Sequence, residues 1–331
     1  MPANGTLTVG TAVVAPGERG HGIIAYGKDA FGEALGVPIT IVNGAEDGPV
    51  LWVDGAIHGD EPEGPLAILK VLNALAPSEL RGAFVGCMAM NPPAFFNNER
   101  GHAWDKNTYD MNRIYPGRPN GFPTERIAHA HAEALVATAD LEMTIHSGGD
   151  HSYLSMAIFH AGGASEELAK AMGPGWDLLL TGGPGGKSPM TTMAEAGKAG
   201  ITVELGGMCA TLPHDYHRIG DTLAEAIFNV MRHYEMLGGE AGRCETWLHG
   251  VQELVSAPVG GLWVAERHVQ MRTPMRESDV IARIYDLFGN EAAVVTAPCD
   301  GQIFGLRTNP TVHPGDWCCF FARITGESTD G

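Results

Sequence analysis

Positive charge is scarce in this chain. Lys and Arg together number 21 against 39 Asp and Glu in 331 residues, a formal net charge of -18. A uniformly acidic protein repels phosphate backbones and anionic headgroups, which excludes nucleic acid and membrane surfaces as partners. An anionic small molecule stays open, because a few buried arginines dominate the potential of one pocket. Cysteine is sparse and unpatterned: Cys87, Cys209, Cys244, Cys299, Cys318 and Cys319 contain no C-x-x-C. That excludes a zinc ribbon and a disulfide framework, and fits reduced, packed thiols in a cytoplasm. The start, MPANGTLTVGTAVVAPGERG, lacks a basic n-region and an apolar h-region, so no signal peptide is expected. No run of about 18 apolar residues is present, which excludes a spanning helix. Internal repeats and low-complexity segments are missing too.

What is present is enough apolar residue, 44% of the chain, for a sizeable core. The length exceeds a typical single core, so one large domain and a smaller one are expected. The stretch Val50–Gly64, VLWVDGAIHGDEPEG, organises the first. Its apolar run reads as a buried strand that breaks at Gly55. Pro62 and Pro65 are tolerable in the first turn of a helix. His58 and Glu61 thus sit between a strand's carboxyl end and a helix, where open α/β sheets bind ligands.

Residues 1–45 read as short strands between glycine-rich turns, with Ile39–Val42 the clearest. Leu66–Leu75 has helical spacing, Ala83–Met90 reads as a strand, and Asn91–Gly121 as a polar loop of a length that is usually functional. Thr124–Ala139, Glu166–Met172 and Ser188–Lys198 read as helices, and Leu141–Ile145 and Ile201–Glu204 as strands. A helix capped by Asp221 or Thr222 is expected to run to Leu237. The alternation predicts an α/β fold with a mostly parallel or mixed sheet flanked by helices over residues 1–240. From 241 to 331, Val251–Val255, Gly261–Val264, Val280–Asp286, Ala292–Ala297, Gln302–Leu306 and Trp317–Ala322 predict a smaller β-rich domain. Its close resembles the barrel-sandwich folds that carry biotin or lipoate. No lysine follows Lys198, so only the architecture is shared.

Three strands end in chemistry: His58 with Glu61, His146, and Glu204. A catalytic zinc site takes three protein ligands and keeps one open position. His58, Glu61 and His146 form a His₂Glu set for one Zn²⁺ per chain, and Glu204 is left to take a proton from a metal-activated water. The bland alternative is that the two histidines are polar turn residues. It is weaker for Glu204, because a carboxylate closing the apolar strand ITVEL needs a partner or a function. The long loop adds Arg100 and Asn112-Arg113. An arginine fork binds a carboxylate bidentately, and an arginine beside a metal stabilises an oxyanion.

H-G-D-E after a strand, N-P leading to an arginine, D-x-N-R-x-x-P-G, a strand-ending histidine and T-V-E-L-G-G occur in one order. Together they resemble the succinylglutamate desuccinylase/aspartoacylase family of zinc-dependent deacylases, relatives of the metallocarboxypeptidases. The resemblance covers most of the chain, the β-rich tail included. It implies that His58, Glu61 and His146 bind zinc and that Glu204 is general base and then acid. It implies that Asn112 and Arg113 hold a substrate carboxylate and that Arg100 polarises the scissile carbonyl. One departure stands out. The third ligand commonly follows Asp-Leu, and here it follows Thr144-Ile145, so the carboxylate orienting His146 must come from elsewhere, with Asp150 the candidate.

The expectation is therefore a cytoplasmic zinc hydrolase that cleaves the amide of a small N-acyl amino acid or related carboxylate, with a homo-oligomer left open. A carboxypeptidase or an esterase with the same metal site is the nearest rival, and a roof over the cleft built by the tail would exclude long peptides. A non-catalytic metal protein is the rival of another class, but a structural zinc site is normally closed by four ligands. GGPGGKS at Gly182–Ser188 fails the phosphate-loop spacing, since Thr181 stands at its first glycine. A glycine-rich loop near the substrate mouth fits it better. His102, His151, His160, His214, His217 and His313 are set aside for lack of a paired carboxylate.

Overall fold

A computed structural model of the protein describes residues 5–182, 187–208 and 212–329. In the strand Glu46–Asp54 successive residues choose opposite layers. Leu51 and Val53 join one core with Ile68, Val71 and Leu72 of the helix Glu63–Ala74. Val50 and Trp52 join another with Ile127, Ala128 and Leu135 of the helix Pro123–Thr138. Phe84 and Val85 of the strand Arg81–Cys87 divide in the same way. A strand covered on both faces has no polar face to show, which is why these segments read as continuous apolar runs.

The sheet has twelve strands and is mixed. Its order is Glu18–Lys28, Ala34–Asn43, Arg81–Cys87, Glu46–Asp54, Leu141–His146, Ala199–Gly206, Ser152–His160, Leu178–Thr181, Thr246–Ser256, Trp317–Thr329, Gly301–Arg307 and Pro274–Met275. Glu46–Asp54 is parallel to Arg81–Cys87 on one side and to Leu141–His146 on the other. The chain therefore reverses direction across the sheet at this strand. Such a switch point opens a crevice at the carboxyl ends of Glu46–Asp54 and Leu141–His146.

The structure departs from the sequence reading in four places. Ser152–His160 and Leu178–Thr181 are strands that the apolar pattern did not reveal, and the first runs antiparallel to Ala199–Gly206. The helix expected from Asp221 or Thr222 starts at Pro213, a residue suited to a first turn because its missing N–H has no helical partner there. The amino-terminal region contains two long strands, Glu18–Lys28 and Ala34–Asn43, as well as short ones. The segment Asn91–Gly121 holds the helix Pro92–Asn97 and the turn Met111–Arg113. Asp105 ties it down: its carboxylate accepts the N–H groups of Asn107, Thr108 and Thr124 and the Thr108 hydroxyl at 2.6–3.0 Å.

The large sheet runs across the region of residue 240. Gly301–Arg307 pairs with Trp317–Thr329 and also with Ser152–His160, which closes five strands into a ring. These strands share a core of Leu154, Phe159, Phe304 and Phe320. A Cβ at Gly305 would run into Leu154 Cδ2 and approach Phe320 Cβ to 2.9 Å, so glycine is what lets the tail lie this close. Glu291–Thr296, Val280–Tyr285, Gly261–Ala265 and Thr311–Val312 form a separate sheet over Trp263, Ile281 and Ile284. Cys87, Cys244, Cys299, Cys318 and Cys319 are free thiols; Cys209 lies outside the described residues. No helix among the described residues is long and apolar enough to cross a membrane.

Candidate metal centre and active site

The loop after Asp54 is shaped by close backbone approach. Gly59 donates its N–H to Glu99 O at 2.9 Å, and a Cβ there would run into the Ala94 carbonyl. The glycine of H-G-D-E is thus what lets the loop lie on the helix Pro92–Asn97, with His58 and Glu61 on either side. His146 ends its strand, and register sets Glu204 beside it: the two residues are direct partners in neighbouring parallel strands.

The three expected ligands meet. His58 Nδ1 lies 2.8 Å from Glu61 Oε1, and His146 Nδ1 lies 3.0 Å from Glu61 Oε2. All three side chains are buried, and their donor atoms fall within 4.8 Å of one another. The far nitrogens have partners. His58 Nε2 is 3.0 Å from Asp110 Oδ1, an acceptor for its N–H. His146 Nε2 is 3.3 Å from the Asn112 amide, whose Oδ1 is otherwise buried without a partner. Turning that amide over gives His146 Nε2–H an acceptor in Asn112 Oδ1. Each imidazole also turns its Nδ1 to the Glu61 carboxylate: protonated, these nitrogens donate to it, and deprotonated they leave three acceptors facing one point, an arrangement that a cation resolves. The donor set, two imidazoles and a carboxylate, suits Zn²⁺.

Asp150, the sequence candidate for orienting His146, lies elsewhere in function: its Oδ1 is 3.1 Å from His151 Nδ1. The orienting groups are Asn112 for His146 and Asp110 for His58. Asp110 also accepts Arg100 Nε and Nη2 at 3.2 and 3.0 Å and the Asn112 N–H at 2.9 Å. Burial pushes its carboxyl up, but the His58 bond and the charges of His58, Arg100 and Arg113 hold it far below the usual carboxylate range. Arg100 Nη1 stands 3.7 Å from Glu61, and its guanidinium lies over Trp317 at 5.5 Å. Arg113 Nη1 donates to its neighbour's carbonyl, Asn112 O, at 2.9 Å and stands 3.8 Å from Asp110.

Glu61 and Glu204 are carboxylates of opposite character. Burial raises Glu61, but the two histidines outweigh it and hold its carboxyl well below the ordinary range. Burial pushes Glu204 well above its ordinary value; the Glu61 charge adds to this, and Arg100 and Arg113 act against it. Glu204 Oε2 is buried and has no hydrogen-bond partner among the described residues. A carboxyl kept basic, with one oxygen unpartnered among the described residues, beside a candidate metal triad is equipped to exchange a proton.

Glu63 had no role in the sequence reading. It accepts the Ser147 hydroxyl and the Gly207 N–H, both at 2.8 Å, and so ties the helix Glu63–Ala74 to the ends of the strands bearing His146 and Glu204. Burial pushes its carboxyl up to about 7, against those two bonds. The available signal was a second acid in the first turn of a helix. A cavity of about 290 Å³ is lined by His58, Glu61, His146 and Glu204, by Arg100, expected to polarise the carbonyl, and by the expected substrate residues Asn112 and Arg113. Gln252, Trp317 and Phe320 from the tail line it as well, so the tail walls this cleft. His151 and His160, set aside above, also line it; His214 and His217 do not. Of GGPGGKS, Gly182, Lys187 and Ser188 line the cavity, and residues 183–186 lie outside the described residues. A second buried group, Asp54, Cys87 and His131, is away from the cavity. There Asp54 Oδ1 is already engaged by Trp52 Nε1 at 2.7 Å and His131 Nε2 at 3.0 Å.

Residues 47–234 match the succinylglutamate desuccinylase/aspartoacylase catalytic domain, more than half of the chain. The chain belongs to that family. Within this desuccinylase/aspartoacylase family it is similar to the N-alpha-acetyl-L-2,4-diaminobutyric acid deacetylase of Halomonas elongata, at 28% identity over 320 residues, 91% of this chain and 89% of that protein. Among solved structures, the apo form of the ectoine utilization protein EutE (DoeB) from Ruegeria pomeroyi superposes with a TM-score of 0.76 at 25% identity, over 92% of this chain and 95% of that one. A succinylglutamate desuccinylase from Silicibacter sp. TM1040 gives 0.77 at 23% identity, over 93% and 95%, and shares the fold. The likeness to the Halomonas relative and to these structures runs along almost the whole chain, tail included.

Proposed function

We propose that this protein is a zinc-dependent deacylase that hydrolyses the amide bond of a small N-acyl amino acid. The observation that carries the reading is the convergence of the His58 and His146 Nδ1 atoms on the Glu61 carboxylate, in one cavity with Glu204, whose Oε2 has no partner among the described residues. The deacetylase activity of the Halomonas relative supports the reaction class. His58 and His146 through Nδ1, with Glu61, would hold one Zn²⁺, which supplies a Lewis acid for the acyl carbonyl and brings the pKa of a water toward about 7.

Arg113 and Asn112 take the substrate carboxylate, and Arg100 faces the oxygen of the scissile carbonyl. Glu204 accepts a proton as the water oxygen bonds to the acyl carbon. The tetrahedral oxyanion is countered by Arg100. When the C–N bond breaks, Glu204 returns the proton to the leaving amine, so the products are a free carboxylate and a free amino acid. Asp110 keeps His58 in the Nε2–H tautomer and holds Arg100 and the Asn112 backbone in place.

A carboxypeptidase with the same residues is the second reading. The tail speaks against it, because Gln252, Trp317 and Phe320 wall the cavity that a long peptide would have to cross. Glu204→Gln keeps shape and loses basicity. The expected result is a folded, zinc-binding protein whose kcat falls by about 10²- to 10⁴-fold; kcat within about threefold of the parent would remove Glu204 from the proposed role.

A further inference from the structure

The cavity has two unlike parts. The polar part, around the triad, is committed to the amide and the substrate carboxylate. Elsewhere Leu154, Phe159, Met190, Trp317 and Phe320 form an apolar face, and His160, Ser188, Thr191, Thr202 and Gln252 line the cavity beside it. Leu154, Phe159 and Phe320 are 3%, 6% and 8% exposed and belong to the shared core of the five-strand ring, against which Met190 and Trp317 pack. Phe320 is stacked edge-on with Trp317 at 5.7 Å and with Phe304 at 6.0 Å. This wall is therefore fixed by packing on its far side and does not reshape to expose polar atoms.

The charges in the cavity are as informative as the wall. Its only carboxylates are Glu61 and Glu204, both engaged in the chemistry proposed above, and residues 183–186 and 209–211 contain no further one. The cations Arg100, Arg113 and Lys187 outnumber them, and Lys187 is exposed, where its ammonium stays hydrated. An ammonium on the substrate would be stripped of water against an apolar wall and left without a counterion. A second carboxylate seated on Leu154, Phe159, Met190 and Phe320 would meet rings and methyl groups.

We infer that the substrate carries an uncharged apolar group beyond the scissile amide, seated on Leu154, Phe159, Met190 and Phe320, and that this wall selects against both charged side chains. The inference deepens the deacylase reading and rests on it. Two sources share the chemistry, an apolar amino-acid side chain or an acyl chain longer than acetyl. Pocket contacts of this kind discriminate by about 10- to 200-fold per methylene, and an unpaired buried charge discriminates more strongly.

The test uses the full-length zinc-loaded protein and three near-isosteric compounds: Nα-acetyl-L-methionine, Nα-acetyl-L-glutamate and Nα-acetyl-L-lysine. The expected kcat/KM for the methionine compound exceeds each of the others by about tenfold or more. N-butyrylglycine against N-acetylglycine, run beside them, separates the sources: a gain from the longer acyl chain that exceeds the gain from the methionine side chain assigns the wall to the acyl group. A glutamate or lysine compound that equals or beats methionine overturns the inference while leaving the deacylase reading intact. Turnover of none of the five overturns the deacylase reading itself. Met190→Glu, at a half-buried position, gives an internal ratio: the lysine-to-methionine ratio of kcat/KM is expected to rise at least about tenfold, and an unchanged ratio in a protein with parental melting temperature overturns the assignment of the wall.

Discussion

Asp110→Ala strips the acceptor from four donors at once: His58 Nε2, two nitrogens of Arg100 and the Asn112 N–H, at 2.9–3.2 Å. Two consequences separate experimentally. The first concerns the metal. Without a carboxylate on Nε2, His58 loses both its fixed tautomer and the charge that raises its basicity, a change that typically lowers metal affinity about 10- to 100-fold. That is about 1.4–2.8 kcal/mol. The second concerns Arg100, whose fork loses its anchor and retains only the Trp317 face and the 3.7 Å approach to Glu61. At saturating zinc, kcat is therefore expected to stay reduced. Asp110→Asn keeps an oxygen for His58 but presents no negative charge to Arg100, so its zinc affinity should fall between the parent and the alanine variant. Zinc affinity is read by competition with a chromogenic chelator, and kcat and KM at saturating zinc follow, with circular dichroism to confirm the fold. A zinc affinity within about twofold of the parent in Asp110→Ala would refute the orienting role.

Asp105→Asn probes the long loop through pH. Burial raises this carboxyl, but the Thr108 hydroxyl and three N–H groups outweigh it, so its folded value lies below the unfolded value of about 3.9. A depressed folded pKa stabilises fully above the unfolded value and is lost as pH falls through about 4 toward the folded value. The parent's unfolding midpoint should thus drop more steeply below about pH 4 than that of Asp105→Asn, which starts lower at pH 7; parallel curves would argue against the knot. Gly305→Ala forces a methyl group against Leu154 and Phe320, an overpacking cost of about 1–3 kcal/mol. Its melting temperature should fall and its KM should rise, since both neighbours line the cavity, and an unchanged KM would uncouple the ring from the site. Gly59→Ala pushes the metal loop off the Ala94 carbonyl. Calorimetric titration should show zinc binding lost from a protein that retains its helix and strand content.

The site was legible in the sequence to the extent that it sits where apolar runs stop. His58, Glu61, His146 and Glu204 each follow a buried strand or end one, and a polar residue at such a point must be satisfied or used. Their meeting was not legible from pattern, because it depends on strand order. His146 and Glu204 are neighbours only because Leu141–His146 and Ala199–Gly206 pair in parallel with those residues in register. The roles of Asp110, seen only as the first residue of D-x-N-R, and of Glu63 were not legible for the same reason: their partners lie 52 residues away at His58 and 144 residues away at Gly207. The strand Ser152–His160 escaped notice because its two faces meet different surroundings. Leu154 and Phe159 pack into the ring core, whereas Ile158 joins the core under the helix Glu63–Ala74, and no single periodicity results.

The tail shows most clearly how a feature with no motif of its own enters the chemistry. Trp317 and Phe320 sit in a stretch that reads from sequence as one more strand of a separate β-rich unit. They reach the cavity because Gly301–Arg307 is shared between Trp317–Thr329 and Ser152–His160, and that sharing needs the missing Cβ of Gly305. Once the ring is closed, Trp317 lies under Arg100 and Phe320 faces the cavity. The position of this arginine of the long polar loop is thereby fixed from two directions. Asp110 holds it from the loop side, and an aromatic face some two hundred residues along the chain holds it from the other. A cation positioned in this way before substrate arrives needs no rearrangement to meet a developing negative charge, which is the condition under which such a group contributes most to a hydrolytic step.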